Sequence, residues 1–195
     1  MNKYIELLKS NFSRIKNFSL YLSAAIVSGV LSILFNPFLA ANLSSLDYSI
    51  IGYYSSFVPL FTPILNFSLI SFYVRKYFKI PEERRQLTLD TIITALLVWG
   101  VVSSLLILVG FFIYCRLNKV ELPFFPFALM SVCQLFFNNF LLLYQVNCRM
   151  RSEANRYFKI TMTASLLAIF FSILLVIVFK FGAVGRMTAL LISSF

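Results

Sequence analysis

The 195-residue chain contains no histidine, seven acidic residues, six glycines, three cysteines and a single tryptophan. Without histidine no imidazole can shuttle protons near neutral pH, and no histidine-containing metal set can form. Charged residues make up 12% of the chain, against roughly 25% in a water-bathed globular domain, which excludes a soluble domain of any size. Three cysteines make no disulfide framework and follow no metal-binding spacing. Cys115 and Cys148 are expected near opposite faces of a membrane, with Cys133 inside a span. A separation near the ~30 Å hydrocarbon thickness far exceeds the roughly 7 Å that a disulfide tolerates, so the first two are expected not to pair. No metal and no cofactor is expected.

What the chain has in abundance is apolar sequence: 60% hydrophobic residues and a mean hydropathy of +0.87. The long runs predict an all-α membrane protein, a multi-span helical bundle with five full spans at about 18–40, 48–74, 91–114, 122–145 and 160–179, and the start of a sixth at 186–195. Each full run is near or above the ~20 residues needed to cross the hydrocarbon as a helix. None alternates apolar with polar as barrel strands do. The first run exceeds the 7–15 residues of a signal-peptide core and is expected to be retained. The sixth is too short to span, which leads us to expect a truncated product or fragment. Residues 1–17 place Ile5, Leu8, Phe12 and Ile15 at helical spacing beside Lys3, Lys9, Arg14 and Lys16; they form either a cytoplasmic amphipathic segment or a frayed polar tail. Thr88 or Asp90 is expected to cap the third span.

The 17 cations fall in the gaps between these runs. Thirteen lie in residues 1–17, 75–90 and 146–159, and four in the alternate gaps. The positive-inside rule therefore places the N-terminus in the cytoplasm. Tyr48, Tyr53 and Tyr54 are expected in an outer aromatic belt, and Tyr73, Tyr77, Tyr144 and Tyr157 in an inner one. The net charge of +10 is thus a matter of topology and attraction to membrane lipids, and no nucleic-acid partner is expected.

No charge lies deep within an expected span, where it would cost about 3 kcal/mol, so this part of the chain has no buried proton relay. Its uncharged polar residues share helical faces instead: Ser55, Pro59, Thr62, Asn66 and Tyr73 on span two; Ser131, Gln134, Asn138, Gln145 and Arg149 on span four; Ala25, Gly29, Ser32 and Asn36 on span one; Thr161, Ser165, Ala168 and Ser172 on span five. Such faces avoid lipid and serve either helix packing or a hydrophilic lumen. Spans one and five favour packing, and span four the lumen. Pro37, Pro59 and Pro63 each remove a backbone donor and can bend their helices, as happens at transporter sites and elsewhere in membranes.

Span one ends Asn36-Pro-Phe-Leu-Ala-Ala-Asn-Leu43, followed by Ser45-Leu-Asp-Tyr-Ser-Ile-Ile-Gly-Tyr53 and a Pro-broken span. This resembles the start of bacterial Wzx-type polysaccharide exporters, of the multidrug/oligosaccharidyl-lipid/polysaccharide (MOP) transporter superfamily that includes lipid II flippases. Asp47-Tyr48 and Gly52-Tyr53 resemble the family's outer loop, with the Gly displaced by a few positions. Residues 149–157 resemble its basic loop, and Lys180-Phe-Gly-Ala-Val-Gly-Arg-Met-Thr-Ala189 its Gly-Ala-x-Gly opening of helix six. The resemblance covers the whole chain but only the first six of the family's roughly 12 to 14 helices.

The resemblance implies the N-terminal bundle of a MOP-type fold. It implies a flippase in the bacterial inner membrane that moves undecaprenyl-diphosphate-linked oligosaccharide repeat units, for O-antigen or capsule, by alternating access. Partners would be the lipid-linked oligosaccharide, other polysaccharide-assembly membrane proteins or a complementary C-terminal half. On that reading Arg14, Lys16, Arg75, Lys76 and Arg149 are candidates for the diphosphate, since guanidinium groups suit phosphate. Asn36, Asn66, Gln134, Asn138 and Gln145 are candidates for sugar hydroxyls in a lumen. The chain is not expected to be an enzyme. The rival, a membrane-embedded polymerase or ligase of the same pathway, would commonly use paired carboxylates or histidine; Asp47, Asp90 and Glu121 lie at span edges without a pair. A non-transporting half-length scaffold is the third reading.

Overall fold

The computed structural model describes the backbone of residues 2–194 and the side chains of residues 15–194. All regular elements there are helical: α1 (Asn2–Asn42), α2 (Ser45–Ser56), α3 (Val58–Asn66), α4 (Leu69–Lys76) with a 3-10 turn at Tyr77–Lys79, α5 (Glu82–Leu117), α6 (Phe127–Met150), α7 (Ala154–Ser172) running into a π-helical turn at Ile173–Val178, and α8 (Gly182–Ser194). Four helices are long and apolar enough to cross a bilayer, and a fifth is added if the bent pair Ser45–Asn66 and Leu69–Lys79 is one span. An apolar medium demands this: backbone N–H and C=O groups find no water there and must satisfy one another.

Helix α6 is central, touching α2, α3, α4, α5, α7 and α8, while α1 packs outside against α7. The buried contacts form layers along the bundle. Tyr54, Phe111, Phe127 and Met187 cluster at one end, Leu65, Ile107, Val132 and Leu135 in the middle, and Tyr73, Tyr77, Leu96 and Leu143 towards the other end. The outer surface is apolar too: Ile33, Leu34 and Phe38 on α1, and Val98, Leu105, Leu106 and Val109 on α5, are exposed. Each square ångström of such surface costs about 25 cal/mol in water and is at home in hydrocarbon.

Most of the cations among the described residues lie at one end of the bundle. Asn17 donates to the Ser152 carbonyl (3.3 Å), Arg151 to Gln86 Oε1 (2.8 Å), and the Tyr73 hydroxyl to Asn147 Oδ1 (2.8 Å). These bonds tie together the three cation-rich segments. At the other end Ala183 N–H meets Asp47 (2.9 Å) and Tyr54 donates to the Pro123 carbonyl (2.9 Å).

Residues 2–17 and the first span both belong to α1, and the side chains of Ile5, Leu8, Phe12 and Arg14 lie outside the described residues. Several expectations are corrected. Helix α5 begins at Glu82, earlier than Thr88 or Asp90. Pro81 precedes it, and Glu82 and Glu83 occupy its first turn, where carboxylates suit the helix dipole. Thr88 instead donates to Arg84 O (2.9 Å) and Asp90 accepts from Gln86 (3.1 Å). Helix α6 starts at Phe127 rather than 122, because Pro123 and Pro126 lack the N–H groups a longer helix would use. Helix α7 begins at Ala154, earlier than 160. Tyr54, Tyr73 and Tyr77 are buried core residues, not belt residues, while Tyr48 and Tyr144 are exposed. The cysteines are free thiols.

Candidate functional site: an interrupted span and a half-buried cation

The second span breaks at Phe67 and Ser68, both left-handed (φ 43° and 57°), and its two parts meet at 59°. Pro63 begins the weakening: it has no N–H to give to Pro59. The break is stabilised by exchanged hydrogen bonds. In an unbroken helix Ser68 N–H would donate to Ile64 O. Here Ser68 N–H donates to Asn66 Oδ1 (2.9 Å), and Ile64 O accepts from the Trp99 indole N–H (2.8 Å). The Phe67 and Trp99 rings lie 4.8 Å apart. Trp99 sits halfway along α5, so the interruption lies near the middle of the bundle, with two of its freed polar groups satisfied by protein.

At the other end, α8 begins beside α2. Asp47 accepts from Ala183 N–H (2.9 Å) and from the Ser44 hydroxyl (2.6 Å), and Ser44 in turn accepts from Asp47 N–H (3.1 Å). A carboxylate from α2 thus caps the N-terminus of α8. Gly182 makes the approach possible. Its φ is +56°, and a Cβ there would lie 2.7 Å from Asp47 Oδ1. Three residues on, a Cβ on Gly185 would lie 2.8 Å from Leu175 O, so α8 rests directly on the backbone of the π-helical turn.

Arg186 follows at the start of the second turn of α8. It is half-buried and donates to the Ser172 hydroxyl. Among the described residues the ion pairs are Arg85 with Glu82 and Arg156 with Glu153, so Arg186 has no carboxylate within 4.0 Å. It lines a cavity of about 170 Å³ with Asn36, Tyr48 and Gly52. A guanidinium has five donors, so this group presents positive charge to a small pocket between α1, α2 and α8.

The candidate residues are dispersed. Asn36 joins the Arg186 pocket. Asn66 serves the break. Gln145 donates to Thr161 Oγ1 (3.3 Å), a packing bond between α6 and α7. Gln134 is half-buried and Asn138 exposed, one turn apart on α6. Of the candidate cations, Lys16, Arg75, Lys76 and Arg149 are exposed at the cation-rich end. Arg75 donates to Ser71 O of its own helix (3.4 Å), and Arg149 lies over the Tyr157 ring (5.7 Å). The Arg14 side chain lies outside the described residues.

The expected packing face of span one is corrected. Ala25, Gly29, Ser32 and Asn36 are exposed, and α1 instead buries Ala24, Phe35 and Leu39. Its polar contact to α7 is Ser28 with Ser165 (3.0 Å), so the face that meets α7 is rotated from the expected one. On span five, Thr161, Ser165 and Ser172 all bond to other helices. The face expected on span two dissolves at the break: Ser55 and Pro59 are exposed while Tyr73 is buried.

Sequence reasoning passed over Trp99, Asp47 and Arg186 as site residues. For two of them a signal was present. Asp47 is the one charge in a cation-free gap, and Arg186 stands at the head of an apolar run rather than among other charges. No family model, no curated protein and no solved structure matches the chain, so any functional reading rests on its own residues.

Proposed function

We propose that this chain is the N-terminal bundle of a MOP-type transporter that moves undecaprenyl-diphosphate-linked oligosaccharide repeat units across the bacterial inner membrane by alternating access, with its N-terminus in the cytoplasm. The observation that carries the reading is the interrupted second span, where the break between Asn66 and Leu69 is held by Trp99 and Asn66. A continuous helix would be cheaper in hydrocarbon. Phe67 and Ser68 are exposed at the break; irregular backbone at membrane depth is tolerated where it is buried in protein or lines a water-filled cavity, and it recurs where a transporter binds cargo or bends. Arg186 adds the chemistry an anionic cargo needs, a cation without a carboxylate partner among the described residues. The cation-rich end, with Lys16, Arg75, Lys76 and Arg149, would receive the diphosphate first.

The test is reconstitution of the chain together with its complementary C-terminal half in liposomes with a fluorescent lipid-linked oligosaccharide. Transport is read as transfer of the sugar out of reach of an impermeant quencher, and the lipid is recovered for chemical analysis. Transfer with every bond of the cargo intact is the expected result, and Arg186→Gln should reduce its rate at least fivefold. A changed glycosidic or phosphate bond would point to the pathway enzyme. Inertness, in a preparation whose helicity and size are normal, would sink the transport reading and favour a scaffold.

A further inference from the structure

A cleft of about 450 Å³ at the cation-rich end opens between the Tyr77–Lys79 turn, the start of α5 and the connection from α6 to α7. Two arginines line it. The Arg85 guanidinium lies 4.7 Å from the centre of the Tyr77 ring, which fixes its position from a buried residue. Its Nε–H is buried with no acceptor. Its carboxylate contact is long, 3.8 Å to a Glu82 side chain that is 90% exposed, and such pairs contribute little in water. Arg151 uses one donor on Gln86 Oε1 (2.8 Å) and has no carboxylate within 4.0 Å among the described residues. The other acid at the cleft, Glu153, is held by Arg156 (2.8 Å). The cleft therefore presents two positioned guanidinium groups whose charges its own carboxylates neutralise weakly.

One wall is apolar. Phe78 lines the same cleft and is 75% exposed, with its ring 5.3 Å from that of Tyr77. A phosphodiester carries one negative charge and two free oxygens, which suits paired guanidinium donors. A free phosphate would make no use of an exposed phenyl ring beside the cations, whereas a phospholipid brings glycerol and acyl carbon to it. We propose that the cleft binds the phosphodiester of an anionic phospholipid from the adjoining leaflet, with Arg85 and Arg151 on the phosphate and Phe78 against the lipid's apolar part. The site requires that the chain lie in a membrane and is independent of the transport reading.

The full chain in detergent would be titrated with dioleoyl phosphatidylglycerol, dioleoyl phosphatidylcholine and inorganic phosphate, with bound lipid counted by native mass spectrometry. Phosphatidylglycerol should bind at least fivefold tighter than phosphatidylcholine. Arg85→Gln with Arg151→Gln should erase the difference, while Lys79→Gln with Arg84→Gln, exposed cations that do not line the cleft, should change it by less than twofold. Phe78→Ser, a surface change that leaves both arginines in place, should weaken the lipid at least threefold. Equal losses in the two double variants would mean diffuse attraction and overturn the site. So would normal lipid preference in the Arg85/Arg151 variant. Arginine-dependent binding of inorganic phosphate that excludes the lipid and ignores Phe78→Ser would reassign the cleft to a free phosphate.

Discussion

The indole N–H of Trp99 donates to the carbonyl of Ile64, the acceptor that Ser68 would have used had the second span stayed helical. A side chain on α5 thereby stabilises a discontinuity in another helix. Trp99→Phe keeps an aromatic ring near Phe67 but leaves the carbonyl unpaired, which should cost about 1–3 kcal/mol. Asn66→Ala should cost a similar amount by freeing Ser68 N–H. The two changes act on one broken turn, so their sum should exceed the loss in the double variant, as read from chemical denaturation in detergent. Additive losses would show that the two bonds are independent.

Asp47 and Gly182 form a second coupled pair. Asp47→Ala removes the cap of α8 and should cost about 1–2 kcal/mol. Gly182→Ala forces a side chain into a backbone at φ +56° and a Cβ to within 2.7 Å of the Asp47 carboxylate. Each single change should speed hydrogen exchange at the first amides of α8. In the double variant the clash is gone and only the backbone strain and the lost cap remain, so the exchange rates should rise by less than the product of the two single effects.

Three glycines predict an order of tolerance. A Cβ on Gly29 meets nothing within 4 Å, so Gly29→Ala should be neutral or gain up to about 1 kcal/mol from helix propensity. A Cβ on Gly100 would meet the Phe136 ring at 2.7 Å, and a ring can turn, so a moderate loss is expected. A Cβ on Gly185 would meet the Leu175 carbonyl at 2.8 Å, and backbone has less room to give. Gly185→Ala should therefore be the most damaging, read as the melting temperature of the detergent-solubilised protein.

Tyr73 is fully buried with its hydroxyl on the buried Asn147. Tyr73→Phe leaves Asn147 Oδ1 without its donor and should lose about 1–3 kcal/mol. Adding Asn147→Leu, which removes the orphaned group, should recover part of that loss. A further loss would show that Asn147 has a role beyond this bond.

Orientation can be read with single cysteines in a background where Cys115, Cys133 and Cys148 are replaced by alanine. Leu46 and Lys79 are exposed at opposite ends of the bundle. With the cation-rich end in the cytoplasm, Leu46→Cys should react with an impermeant maleimide in intact cells, and Lys79→Cys only after permeabilisation. The reverse pattern would invert the topology.

How much of this was legible in the sequence depends on the range of the force involved. The existence of the helices, their order and the gathering of Lys and Arg at one end were written in composition and run length, because transfer of apolar side chains and exclusion of charge act residue by residue. Helix starts at Glu82 and Phe127 were misplaced because Pro81, Pro123 and Pro126 govern them more strongly than hydropathy does. Helical periodicity named plausible polar faces on α1 and α6, yet it cannot say which face meets a neighbour. The outward face of Ala25, Gly29 and Ser32 was decided by how α1 rolls against α7 at Ser28 and Ser165. The sequence determined an all-helical, oil-facing chain with its cations sorted by side. Only the tertiary structure decided that Trp99 would stabilise the break, that Asp47 would cap a helix 136 positions away and that Arg186 would have no carboxylate partner among the described residues, because each depends on contacts between segments whose separation along the chain leaves no local pattern.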